Sequence, residues 1–318
     1  TGEGSITTNI GAVRNTGIEL GLNLGVIRNK NFTWDVNLAF ARNWSKITEL
    51  PNGDDVSNNW FIGERLNVLR DYTSAGIITT DGITMRTKDG DRHYTLQEVY
   101  DTFGPGGQGL KWYEGQMAVN DWNNDGKIND EDKQIFGCTD PKWTGSLSST
   151  MTYKGFDFSF MLYTKQGQWS RSYFHEQYMN YGDRGRQKVN FDYYIPAGTP
   201  VLDKNTGDVT YLSEAHIGKY PYPNNTEKTG GGYFSSSSAA VRYHKTSFVK
   251  VKNITLGYTF PKAWLSKIAV KHLRLYVNVI NPFCFTDYEG FDPEWASANL
   301  TNGGPASVTY QIGANIKF

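Results

Sequence analysis

The chain has 318 residues, enough for two ordinary domains or one large β unit. Its 32 Lys and Arg balance its 32 Asp and Glu, which leaves no basic footprint for a nucleic-acid partner. No apolar run approaches the roughly 20 residues of a membrane helix, while 14% aromatics and 34 Gly suit strands, tight turns and aromatic belts. The negative mean hydropathy does not exclude a membrane wall built of strands, because such strands are only half apolar.

Thr1-Gly2-Glu3-Gly4 reads as a loop interior and no signal peptide opens the chain. The expectation is the tail of a larger protein, or a processed product. Residues 17–26 then alternate: Ile18, Leu20, Leu22, Leu24 and Val26 share one face. After a polar turn at Asn29-Lys30-Asn31, the set Phe32, Trp34, Val36, Leu38 and Phe40 alternates in turn, which predicts a hairpin. Residues 47–141 break the pattern and read as a long structured loop, with a poorly alternating strand near 67–78. Alternation returns over Trp143–Tyr153 and, after Lys154-Gly155, over Phe156–Leu162. A second long loop covers 169–246, with a short helix expected between Arg171 and Tyr181. The next strand, about 247–260, shifts its apolar parity at Lys252-Asn253, which predicts a bulge. Pro261–Ala269 turns the chain into a strand over Leu273–Val279, and a third loop, 281–306, leads to the last strand. There Val308, Tyr310, Ile312, Ala314, Ile316 and Phe318 face one way, over a length suited to a membrane-spanning strand.

The connections run short, long, short, long, short, long. That asymmetry predicts an all-β fold: the C-terminal portion of a large antiparallel transmembrane β-barrel with long extracellular loops. The count of seven strands is odd, whereas single-chain barrels have even counts, so a barrel section is expected. Ile18, Leu20, Leu22, Leu24, Leu147, Phe158, Leu256, Leu275, Ile312 and Ile316 are predicted to face lipid.

Residues 121–132 place oxygen-bearing groups at the spacing of a calcium loop. Asp121, Asn123, Asp125, the Lys127 carbonyl, Asn129 and Asp132 occupy the ligand positions, Gly126 the sharp turn and Ile128 the apolar anchor. Residues 115–140 are therefore expected to form a Ca²⁺-binding insertion with a structural role. The second loop carries Trp169, Tyr173, Tyr178, Tyr181, Tyr193 and Tyr222, whose faces suit sugar rings or a partner protein; packing within the loop is the alternative. His93, His175, His216, His244 and His272 show no metal spacing, and Cys138 and Cys284 are either free thiols or one bridge. Glu176, Asp183 and Glu214 supply carboxylates but no recognisable glycosidase setting. A soluble calcium-dependent carbohydrate-binding β-sandwich module is the alternative reading; it explains the aromatics and the acidic loop, but not the alternation of short and long connections.

Several blocks also resemble one family. Val13–Leu20, the Asp121–Asp132 loop with Ile135-Phe136-Gly137 and Pro141-Lys142-Trp143, Phe248–Tyr258, and Leu273–Asn281 with Phe291-Asp292-Pro293-Glu294 are similar to stretches of SusC/RagA-type TonB-dependent outer-membrane transporters. Asn281-Pro282 and Val251 depart slightly from that pattern. The resemblance implies a barrel of about 22 strands, of which residues 1–318 form the C-terminal section without the plug domain. It implies import of oligosaccharides or peptides rather than catalysis, a SusD-like surface lipoprotein partner, and energy from the TonB complex through parts outside this chain. It also implies a multi-pass place in the outer membrane of a Gram-negative, Bacteroidetes-like cell.

Overall fold

The structure is a computed structural model and describes residues 11–104, 109–178, 192–203, 205–222, 239–297 and 306–318. Seven long strands form one sheet: β1 (Ala12–Arg28), β2 (Phe32–Glu49), β3 (Trp143–Tyr153), β4 (Phe156–Gln166), β5 (Phe248–Thr259), β6 (His272–Phe285) and β7 (Thr309–Lys317). Each pairs antiparallel with its neighbour in sequence, and the sheet is open, with β1 and β7 as its edges.

Two-residue alternation sets the register, because a slip of one residue would turn every apolar side chain to the wrong face. One row runs Trp34, Met151, Phe158, Leu256, Val277 and Ile312 across six strands. A second links Leu22, Leu38, Leu147 and Leu162. These rows lie on the face expected to meet lipid. Ile312 is 88% exposed and Leu22 53%, which is the reverse of a soluble core. Aromatic residues bracket the apolar face. Phe32, Tyr153, Phe156 and Tyr258 align in register at the end with the short turns. Phe40 and Trp143 pack together near the other end, where Phe283 and Phe285 are exposed. From Trp143 to Tyr153 the chain rises roughly 33 Å, which at a tilt of about 40° spans about 25 Å, the height of a lipid-facing band.

The strands outrun their alternation. β1 begins at Ala12, β2 continues to Glu49 and β6 to Phe285, beyond the ends expected from the pattern. Arg14, Thr16 and Arg42 share the outward face with Leu20 and Leu22. Past the apolar band, pairing continues where no lipid enforces a greasy face. The bulge falls as expected, with a register shift between Val251 and Asn253.

The long connections leave one end of the sheet and the short ones the other. The first is more than a loop. It holds the paired strands Val68–Asp71 and Gln134–Cys138, Ser74–Ile77 with Met117–Val119, and the hairpin Ile83–Thr87/Gly90–Tyr94. Helix α1 (Leu96–Phe103) starts at Thr95, whose hydroxyl accepts from the Glu98 N–H while the Glu98 carboxylate accepts from the Thr95 N–H. These elements close over a core of Ile78, Met85, Tyr94, Val99, Val119 and Ile128. A second core of Ile77, Met117, Tyr194, Tyr220 and Val241 ties this region to the second loop.

The third connection is held by charge. Lys250 on β5 is 2% exposed and donates to both oxygens of Asp292, at 2.9 and 2.8 Å, and to Glu294 at 2.6 Å. Lys252 donates to the same Glu294. Alternate residues of one strand thus hold the Phe291-Asp292-Pro293-Glu294 segment. Cys138 and Cys284 are both free.

Candidate ligand-binding loops

The acidic loop is built around two carboxylates with no solvent exposure, Asp121 and Asp132. Asp121 accepts from the N–H groups of Asp125 (3.2 Å) and Gly126 (2.9 Å). The side-chain Oδ1 of Asn123 accepts from Asp125 N–H, that of Asp125 from Lys127 N–H, and that of Asn129 from Glu131 N–H. Gly126 has φ +77°, the left-handed turn that this wrapping requires. Ile128 anchors the loop in the first core. Of the six expected ligands, Asp132 has a second task. Its Oδ1 accepts from Trp122 and Asn123 N–H and its Oδ2 from Asn129 N–H, so it closes the loop upon itself. Burial pushes the Asp132 carboxyl up, against these three N–H groups. Outside the ring, Asp130 pairs with Lys133 at 2.6 Å and Arg70 at 3.2 Å; the hydrogen bond from Lys133 is the main cause of its lowered pKa. Among the described residues, no three His, Cys, Asp or Glu side chains converge as a metal cage. A cation here would depend on Asn and carbonyl oxygens as well as carboxylates.

The aromatics of the second loop are dispersed. Trp169 is half-buried, edge-on to Phe136 at 5.4 Å, with its ring against the Gly137 backbone. Tyr173 lies under the Arg171 guanidinium. Tyr193 packs edge-on to Tyr220, and Tyr222 packs against the second core. Tyr178 ends helix α2 (Tyr173–Tyr178). Its side chain, like Tyr181, Asp183 and the Glu176 side chain, lies outside the described residues. Glu214 is exposed.

Spacing alone could not have found the strongest polar cluster. His175 and His244, 69 positions apart in sequence, stack with ring centroids 3.6 Å apart and planes at 17°. One donor order satisfies their neighbours. Tyr288 donates to Ser172, Ser172 to His175 Nδ1 at 2.6 Å, His175 Nε2 to Tyr220 at 3.2 Å, and Tyr220 to Glu289. Lys219 pairs with Glu289, and His244 Nε2 donates to the Val241 carbonyl. Burial, followed by the neighbouring His244 and Lys219, pushes His175 down to about 2. Burial lowers His244 as well. This cluster joins the two ends of the second loop to the third.

Two clefts flank the Gln134–Cys138 strand. One, of about 460 Å³, lies toward the Ile83–Tyr94 hairpin; the other, of about 420 Å³, lies toward Trp169, Lys142 and Lys245.

A one-sided antiparallel wall with an exposed apolar face, aromatic ends and elaborated loops at one end defines a section of a membrane β-barrel. No family model matches the chain. It is 29% identical to the TonB-dependent receptor SusC of Bacteroides thetaiotaomicron, over 98% of this chain and 27% of that protein. It is 27% identical to the TonB-dependent receptor P39 of Formosa agariphila, over 100% of this chain and 32% of that protein. Its fold matches the structure of the RagAB peptide transporter with a TM-score of 0.61, at 18% identity, over 98% of this chain and 30% of that one. The chain thus spans about a third of the length of the curated relatives it matches. The chain is similar to the SusC/RagA-type TonB-dependent receptors and matches a C-terminal portion of those longer proteins. The sandwich alternative finds no support: the apolar face is exposed, and no such module is among these relatives.

Proposed function

We propose that the chain forms part of the wall and outer loops of an outer-membrane importer for oligosaccharides or peptides, driven through TonB and capped by a SusD-like surface lipoprotein. Its role is transport and not catalysis, and its place is the outer membrane of a Bacteroidetes-like cell. The observation that carries this reading is the row Trp34, Met151, Phe158, Leu256, Val277 and Ile312, an unbroken apolar stripe on the outside of a sheet whose likeness to TonB-dependent receptors runs the length of the chain. Deleting the gene for the full receptor should abolish growth on one complex nutrient, with restoration by the intact gene and not by a version lacking the TonB-contacting segment. Growth unchanged on every glycan and peptide source would overturn it.

The acidic loop fits a structural calcium role within that importer. Asp121, Asn123, Asp125, the Lys127 carbonyl and Asn129 would hold the ion, with Asp132 closing the ring. The residue order and the buried pair of carboxylates support this reading. Titration of the purified receptor with CaCl₂ after chelation should show one site, lost in Asp125→Ala, with slower hydrogen exchange over residues 115–140. Identical exchange with calcium and with chelator would overturn it.

A further inference from the structure

The hairpin Ile83–Thr87/Gly90–Tyr94 sorts its side chains by alternation. Ile83, Met85 and Thr87 are buried, while Thr84 and Arg86 face away. The outward face forms one side of the 460 Å³ cleft, with Gln134 and Phe136 also in its lining. Arg86 and Asp91 are register partners across the hairpin, and both line the cleft. Among the described residues, neither charged group takes an ion-pair or hydrogen-bond partner. Trp122 borders the same space, and its ring stacks on no other described aromatic.

The surround is fixed in place. Asn120 is nearly buried; its Oδ1 accepts from Arg86 N–H at 2.8 Å, and its Nδ2 donates to Thr73 Oγ1 at 2.9 Å and Ser74 O at 3.1 Å. It therefore joins three lining segments. Trp122 is held on both sides of its backbone, its N–H by Asp132 and its carbonyl by Lys88 N–H. The acidic loop thus fixes the backbone from which the indole projects. Preorganisation of this kind lowers the cost of binding.

We propose that this cleft is a carbohydrate subsite that takes a neutral, hydroxylated sugar ring. The assignment rests on the importer reading and narrows its substrate class. Arg86 offers only donors, Asp91 only acceptors and the Gln134 amide both, which matches the mixed donor and acceptor pattern of vicinal hydroxyls. One cation and one anion leave no net charge to select an ionic ligand. An unstacked indole suits the C–H face of a sugar ring. Ala75, Ile135 and Phe136 line the cleft beside these polar groups, which suits the mixed apolar and hydroxylated faces of a sugar ring.

The test uses the full receptor with its lipoprotein partner, purified in detergent. It is screened against an array of neutral oligosaccharides and an array of hexapeptides. We expect an oligosaccharide to be retained, with Arg86→Gln and Trp122→Ala each weakening its binding at least tenfold. Asp91→Asn serves as a third variant, since its side chain lies on the exposed face of the hairpin. Unchanged thermal melting of Arg86→Gln separates a lost contact from a damaged loop. Oligosaccharide binding unaffected by Arg86→Gln and Asp91→Asn would overturn the assignment. Retention of peptides alone would overturn it and leave the importer reading standing. Retention of neither class would overturn both.

Discussion

Arg274 on β6 grips Asp157 on β4 with hydrogen bonds of 2.9 and 2.5 Å, reaching over the intervening strand β5 at Gly257. A Cβ at Gly257 would stand 2.5 Å from the carboxylate and 2.6 Å from the guanidinium. The glycine is the gap through which the pair meets. Gly257→Ala should therefore separate the two charges and cost about 1–3 kcal/mol, seen as a lower urea midpoint of the refolded barrel. Combined with Arg274→Gln, the cost should be less than additive, because both changes remove one interaction. Full additivity would show that the glycine acts otherwise.

Leu22 lies in the row shared with Leu38, Leu147 and Leu162, midway between the aromatic ends of the wall. Leu22→Arg and Ile312→Arg should each destabilise the folded barrel by about 2–4 kcal/mol in lipid, whereas arginine at the inward-facing Asn23 should cost far less. Equilibrium unfolding in vesicles measures the contrast. Equal costs on the two faces would mean that the outer face does not meet lipid.

Lys250 and Asp292 form a pair that is 2% and 8% exposed on its side chains. Removing one partner strands the other in a dry site. Asp292→Ala should cost about 3–5 kcal/mol, and the double change Lys250→Met with Asp292→Leu should recover much of it. Proteolysis within residues 286–297 reports release of the segment from β5. A double variant as labile as the single one would point to a requirement for Glu294 and Lys252 as well.

The stacked histidines predict acid sensitivity. His175 is neutral in the fold, with its pKa pushed down to about 2 from 6.5. A depressed folded-state pKa means that its contribution is complete above about pH 6.5 and is lost as the pH falls below that value. The loss is about 1.4 kcal/mol per pH unit, or about 3 kcal/mol at pH 4.5. His244, Lys219, Glu289, Tyr220 and Tyr288 face the same cluster, and Lys219 adds to the penalty on a second positive charge. Hydrogen exchange over residues 169–178 and 286–291 should quicken between pH 6.5 and 4.5, and His175→Gln should flatten that response. Exchange independent of pH over this window would contradict it.

The wall was legible in the sequence, and the loops largely were not. Lipid outside and polar surroundings inside impose a period of two on every strand, so Ile18–Val26 and Val308–Phe318 declare themselves locally. The parity shift at Lys252-Asn253 in β5 was equally local. Inside the first long loop the weak strand expected near 67–78 is found as Val68–Asp71 and Ser74–Ile77, whereas Thr95 followed by Glu98, the start of helix α1, went unread. The loop's core depends on contacts such as Ile78 with Val119 and Ile128, which no periodicity announces. The acidic loop could be named from spacing because its donors are consecutive. The His175–His244 stack and the Lys250–Asp292 pair could not, since partners 69 and 42 positions apart meet only after the strands have set the loops side by side.

The first long loop enters and leaves through partnered strands, with Val68 opposite Cys138. Its two ends therefore stand about one strand spacing apart, roughly 5 Å, while its centre keeps a core of its own. Such a geometry makes residues 68–138 a cassette. Exchanging it would take one cut at the wall, beside Val68 and Cys138, and a matching face on the second loop, where Ile77 and Met117 pack against Tyr194, Tyr220 and Val241.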